Sequence, residues 1–277
     1  MAENEFNNLT QMSFWEHLDA LRGLILKVGA VVLVLTVIFF IAMPWIFDHI
    51  ILAPCNGDFP LYRLFESLCR NSDYLPDFSS SEFHVNLINI QLASQFFIHM
   101  TTSFWLGIIF SFPIIIYLLW KFISPGLYQN EKRGAGTAFL FGNLMFFIGL
   151  GVGYFLVFPL TLRFLAEYQV SALVPNHISL DSYMDNFLVL ILVMGIIFEL
   201  PMLAWLLGKM GALTRIFFVN YRRHAIVILL ILAAVVTPTG DPFTLMIVFL
   251  PIYLLWEISA FLVPENTQDK KVSVTFA

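Results

Sequence analysis

From Phe96 to Trp120 the chain runs for 25 residues without one Asp, Glu, Lys or Arg. No other feature limits its fold so strongly. A helix rises 1.5 Å per residue, so crossing a hydrocarbon core of about 30 Å takes roughly 20 apolar residues. Backbone amides inside lipid must find partners within the protein, which leaves only helices and closed barrels. Four runs are long enough to cross: Leu24–Phe47, Phe96–Trp120, Thr137–Leu160 and Phe187–Leu207. Ala225–Val236 is uniformly apolar but short, and Phe243–Val263 is long but interrupted by Glu257. None alternates apolar with polar residues as barrel strands do. The chain is 59% hydrophobic and 12% charged, against about 25% charged in soluble domains. The expected class is therefore an all-α integral membrane protein with six transmembrane helices. It is read as one membrane domain over residues 1–277, with residues 1–23 and 264–277 flanking the spans.

Orientation follows from Lys and Arg, which accumulate on the cytoplasmic side. With a cytoplasmic N-terminus, only Arg63, Arg70 and Arg163 of the 14 Lys and Arg fall outside. Six spans then place both termini in the cytoplasm. The segment before the first span carries Glu3, Glu5, Glu16 and Asp19, unlike an Arg-rich transit peptide. The first span is too long for a signal-peptide core and is read as retained. The net charge of −5 is not the basic balance of a nucleic-acid binder. Cys55 and Cys69 share the first external loop. An oxidising compartment favours a disulfide between them.

Pro44, Pro113, Pro159, Pro201 and Pro251 lie within or near the ends of spans. Each removes a backbone donor and bends its helix. Together they predict a kinked, cupped shape with a concave face. Ala225–Val236 makes only about 18 Å of helix, so the last two spans are expected to be short and the bilayer thinned beside them. The Gly149–Gly153 pair reads as a close helix contact. Glu199, in "GIIFELPM", is a carboxylate well inside the fourth span. Such a group faces a cavity or a partner and marks function. Glu257 lies nearer the cytoplasmic end of the sixth span. There is no phosphate-binding loop, no zinc-protease motif, no nucleophile elbow and no Cys/His cluster with metal spacing. Neither an enzyme nor a metal or cofactor protein is indicated.

Five segments carry a family likeness in order and spacing: "HLDALRGLIL", "FSFPIIIYLLWKFISPGLYQNEKRG", "MGIIFELPM", "YRRHAIVILLILAAVVTPTGDPF" and "LPIYLLWEIS". Together they resemble the TatC family, the polytopic core of the twin-arginine protein translocase, from about Met12 to Phe261. The resemblance implies a receptor for tandem-arginine signal peptides on folded cargo. It implies single-span partners of the TatA/TatB type, self-association in the complex, drive by the proton-motive force, location in the bacterial cytoplasmic (inner) membrane, and no cofactor. Glu131 matches the family's hairpin glutamate, Phe122 the aromatic before its P-G-L, and Glu199 its intramembrane glutamate. The N-terminal motif departs from the family, since Ala20 stands where a glutamate is usual. Asp19 and Glu16 both remain candidates for the second arginine. Thr237, Asp241 and Glu257 are carried as further intramembrane or partner-contact residues, with one extra residue in "TPTGD" before Asp241. The runner-up reading is a proton-coupled secondary transporter of a small solute with Glu199 as its proton site.

Overall fold

The computed structural model describes residues 14–69, 83–124, 129–171, 173, 175–209, 211–237 and 240–263. Five stretches of helix are long and apolar enough to cross a membrane: Leu18–Cys55, Ser94–Phe122, Phe139–Glu167, Leu180–Lys209 and Pro242–Leu262. A further apolar helix, Arg222–Val236, has 15 residues. It begins three residues earlier than the apolar run predicts, yet at about 22 Å it still falls short of the bilayer core.

The first helix, α1 (Phe14–Ile46), starts well before Leu24. The polar stretch "WEHLDALRG" is rich in helix formers, so the helix continues out of the span instead of stopping at its edge. Pro44 lies inside its last turn. A wide turn follows at Phe47–Ile51, then a tight one at Ala53–Cys55. The first loop contains α2 (Pro60–Cys69) and β1 (Leu87–Ile88). The second and third spans are α3 (Ser94–Ile123) and α4 (Gln129–Val152). A wide turn at Gly153–Val157 joins α4 to α5 (Phe158–Glu167). Then come β2 (Ile178–Ser179), α6 (Leu180–Ile197), α7 (Leu200–Lys209), α8 (Arg215–Asn220), α9 (Arg222–Val236) and α10 (Pro242–Leu262). The fourth span thus starts at Leu180, seven residues before its apolar run, because Ser179 caps it by accepting from the Ser182 amide at 3.3 Å.

The chain divides into two compact units. The first holds residues up to Met43 together with His99–Leu144. Here α1 and α3 run antiparallel. His99 Nε2 donates to the Phe40 carbonyl at 2.8 Å, and its ring stacks on Phe40 at 4.1 Å. Gly107 packs directly on Thr36, so a side chain at 107 would strike the Thr36 hydroxyl and backbone. Further along, Trp120 of α3 meets Phe139 of α4 with ring centroids 5.0 Å apart.

The second unit holds Pro44–Ile98 and the chain from Met145 onward. Its centre is α6, whose Leu190 and Met194 are 0% and 1% exposed. The glycine pair predicted to pack does so. Cβ atoms added at Gly149 and Gly153 would lie 2.6 Å from the Met194 carbonyl oxygen and 2.9 Å from the Ile191 Cα. At the α9–α10 turn, Gly240 has φ of +60°, a left-handed conformation that glycine adopts without strain. Asp241 then caps α10. α10 packs against both α7 and α9.

One end of this unit is closed by a cap built on tyrosines. Tyr62, 1% exposed, shares its hydroxyl proton between the carbonyls of Pro54 at 3.1 Å and Pro159 at 3.0 Å. The Tyr154 hydroxyl donates to Ile50 at 2.8 Å, and Tyr183 donates to Ile51. The strands β1 and β2 pair in parallel, Leu87 with Ile178 and Ile88 with Ser179. The expected Cys55–Cys69 disulfide is not formed. Cys55 is a free, buried thiol. The tight turn at Ala53–Cys55 points it inward, to within hydrogen-bonding contact of Tyr183. The side chain of Cys69 lies outside the described residues.

Candidate functional site

The four residues expected to receive a signal peptide all belong to the first unit. Phe122 stands in the last turn of α3, half-buried. Asp19 is exposed on α1. Glu16 lies in the first turn of α1 and Glu131 in the first turn of α4. The side chains of Glu16 and Glu131, and residues Pro125–Tyr128, lie outside the described residues.

Contacts within the unit order these helices. The Gly107–Thr36 contact sets α3 against α1, and the Trp120–Phe139 contact sets α4 against α3. Phe122 follows Trp120 by two residues on α3, Glu131 precedes Phe139 by eight on α4, and Glu16 stands in the first turn of α1.

The second unit holds the other candidates. Glu199 sits between α6 and α7, where the helix breaks. Pro201 has no amide to offer the Ile197 carbonyl, so the ladder is interrupted there. The Glu199 amide turns back to Ile196 at 3.1 Å, and its carbonyl accepts from Leu203 at 3.0 Å. Both carboxylate oxygens are covered, and neither has a hydrogen-bond partner among the described residues. The carbonyl freed by Pro201 therefore does not satisfy this acid.

Thr237, 4% exposed, turns its hydroxyl to the Ala234 carbonyl at 3.4 Å. Asp241 accepts from the Thr244 amide at 2.7 Å, the ordinary work of a helix cap. Glu257 pairs with Arg222 Nη2 at 2.6 Å and accepts from the Tyr253 hydroxyl at 3.0 Å. Asp241 and Glu257 are about 24 Å apart along α10, so these residues do not form one cluster. Sequence reasoning missed the partners of Glu257. Arg222 was counted only as an orienting cation. Tyr253, one turn before Glu257 on α10, was a legible signal.

The model for the Sec-independent protein translocase protein TatC matches residues 16–251 of the chain. The chain belongs to the TatC family. The family is one of protein translocase components, not of enzymes, and it supports the translocase reading over the solute transporter. The Sec-independent protein translocase protein TatC of Blattabacterium sp. subsp. Periplaneta americana (strain BPLAN) is 33% identical over 259 residues, covering 92% of this chain and 96% of the relative. That of Helicobacter pylori (strain ATCC 700392 / 26695) is 37% identical over 183 residues, 66% of this chain and 72% of the relative. A crystal structure of the twin arginine translocase receptor TatC in DDM superposes with a TM-score of 0.71 at 30% identity, covering 90% of this chain and all of that one. Membership in a multi-pass translocase family accords with the apolar helices and with the glycine contact between α4 and α6.

Proposed function

We propose that this chain is the signal-peptide receptor and core subunit of a twin-arginine translocase in the bacterial cytoplasmic membrane. It spans six times with both termini cytoplasmic and gathers single-span subunits of the TatA/TatB type, and the proton-motive force drives export of folded cargo. The observation that carries the reading is the match, over 90% of the chain, to a twin arginine translocase receptor. The placement of Glu16 and Glu131 in the first turns of two helices of one unit supports it further. Two guanidinium groups need acceptors of fork geometry, and charge-assisted pairs with carboxylates are roughly twice as strong as neutral hydrogen bonds. Glu131 takes one arginine and Glu16 the other, with Asp19 a turn away and Phe122 against the apolar flank of the peptide.

The test is binding of a tandem-arginine peptide to the purified chain, against the same peptide with two lysines. Lysine cannot reproduce the planar two-pronged pairing, so the arginine peptide binds more tightly. Glu131→Lys abolishes the preference, and Glu131→Ala weakens binding by about 1.5–3 kcal/mol, the worth of a hydrogen bond to a charged group. Equal binding of both peptides to the parent chain, or Glu131→Lys binding within about twofold of the parent, refutes the assignment.

A further inference from the structure

The last turn of α5 and the segments leading into β1 and β2 line a cavity of about 640 Å³, within the usual range for a small-ligand site. Neither the receptor residues nor Glu199 takes part in it. Its wall carries Arg163, Glu167, His84, His177, Asn176 and Gln169. Arg163 is only 5% exposed. Its guanidinium lies 5.4 Å from the Tyr62 ring centroid and 5.2 Å from that of Phe83, and its Nε donates to Glu167 at 2.9 Å. So caged, it is a fixed cation in the wall. Glu167, with its side chain 53% exposed, leaves an acid nearer the rim.

The loops beside this cavity are apolar at their tips. Ile90 is 72% exposed, Leu92 fully so, and Val170 and Leu173 both 92%. Ile90 and Leu92 stand just before α3, and Val170 and Leu173 follow the end of α5. Both helices belong to membrane-crossing stretches, so these side chains lie at the boundary between hydrocarbon and headgroups. A soluble metabolite would leave them uncovered. A ligand with a charged head and oily tails covers both features.

We propose that this cavity holds the phosphodiester headgroup of a bilayer phospholipid, with its acyl chains lying along Ile90, Leu92, Val170 and Leu173. Guanidinium and phosphate match in geometry. The imidazoles and side-chain amides supply further donors. Glu167 accepts from the ammonium of an ethanolamine head.

Native mass spectrometry of the full chain in detergent with added phosphatidylethanolamine tests this, with free phosphoethanolamine as a parallel arm. One lipid is retained per chain, and the free headgroup binds about tenfold more weakly or worse. Two double variants, His84→Leu with His177→Leu and Val170→Ser with Leu173→Ser, leave the caged Arg163 in place. Each lowers lipid retention by about fivefold or more, while the thermal unfolding midpoint stays near that of the parent. Retention within about twofold of the parent in either variant overturns the proposal. Free phosphoethanolamine binding as tightly as the lipid also overturns it, and identifies a site for soluble phosphate compounds.

Discussion

Gly149 sits so close to Met194 that a methyl group on its Cα would stand 2.6 Å from the Met194 carbonyl oxygen. No side chain can enter that gap without separating α4 from α6. Gly151, two residues on, meets nothing within 4 Å. The same substitution at the two positions therefore separates packing from helix propensity. Gly149→Ala lowers stability by about 1–3 kcal/mol, as overpacking does. Gly151→Ala is neutral or slightly stabilising, since alanine is the better helix former. Thermal unfolding in detergent, followed by loss of the monodisperse elution peak, measures both. Equal effects would show that the close contact carries no weight.

Tyr62 ties the first loop to the start of α5 through the Pro54 and Pro159 carbonyls. Burial holds its phenol well above the ordinary range, partly offset by the neighbouring Arg163 cation, so the hydroxyl remains a donor at any physiological pH. Tyr62→Phe keeps the ring and strands two buried acceptors. The expected loss is about 1–3 kcal/mol, the penalty for an unmet buried polar group. A melting point unchanged by this substitution would show that water replaces the phenol.

Cys55 is shielded and unbridged. In a Cys69→Ala variant, a maleimide reagent labels the folded protein about 100-fold more slowly than the denatured protein, because reaction waits for local opening. Rapid labelling of the folded variant would place the thiol at the surface. In the parent chain, denatured without reductant, a Cys55 thiol that resists labelling would revive the bridge to Cys69.

Glu199 is covered on both carboxylate oxygens without a partner among the described residues. Burying a polar group unsatisfied lowers stability, so Glu199→Ala leaves the unfolding midpoint unchanged or raises it. If the acid awaits a polar residue of a partner helix, the same variant binds the tandem-arginine peptide normally but exports folded cargo about tenfold more slowly, a difference worth about 1.4 kcal/mol. Normal export together with a lowered midpoint would make the residue structural.

The spans were legible because lipid demands long apolar runs, and the close approach of α4 to α6 was legible because only glycine permits it. Residues outside the lipid follow other rules. The amphipathic α2 carries no apolar run, so it read as part of a loop although it is helical. Arg163 was counted as one of three outer cations, but its position depends on Tyr62 and Phe83, which lie far away in sequence. A shared external loop on the oxidising side likewise suggested pairing Cys55 with Cys69, whereas the tight turn at Ala53–Cys55 leaves the Cys55 thiol free and buried. Glu131 was found through the family motif, and Glu16 only as a competitor to Asp19 where Ala20 departs from that motif. The contacts at Thr36, Gly107, Trp120 and Phe139 that order their helices appear in no motif.

The 15 residues of α9 have a consequence for biogenesis. A segment of about 22 Å is a poor substrate for an insertion machinery that judges each helix alone, and Arg222 and Arg223 stand at its start. α10 follows within a turn of a few residues and packs directly on α9. Arg222 meets Glu257 across the pair at 2.6 Å. The two helices are therefore expected to enter the bilayer as a single hairpin, with α10 supplying the hydrophobicity that α9 lacks. Truncating the nascent chain before Pro242 is then expected to leave α9 outside the membrane.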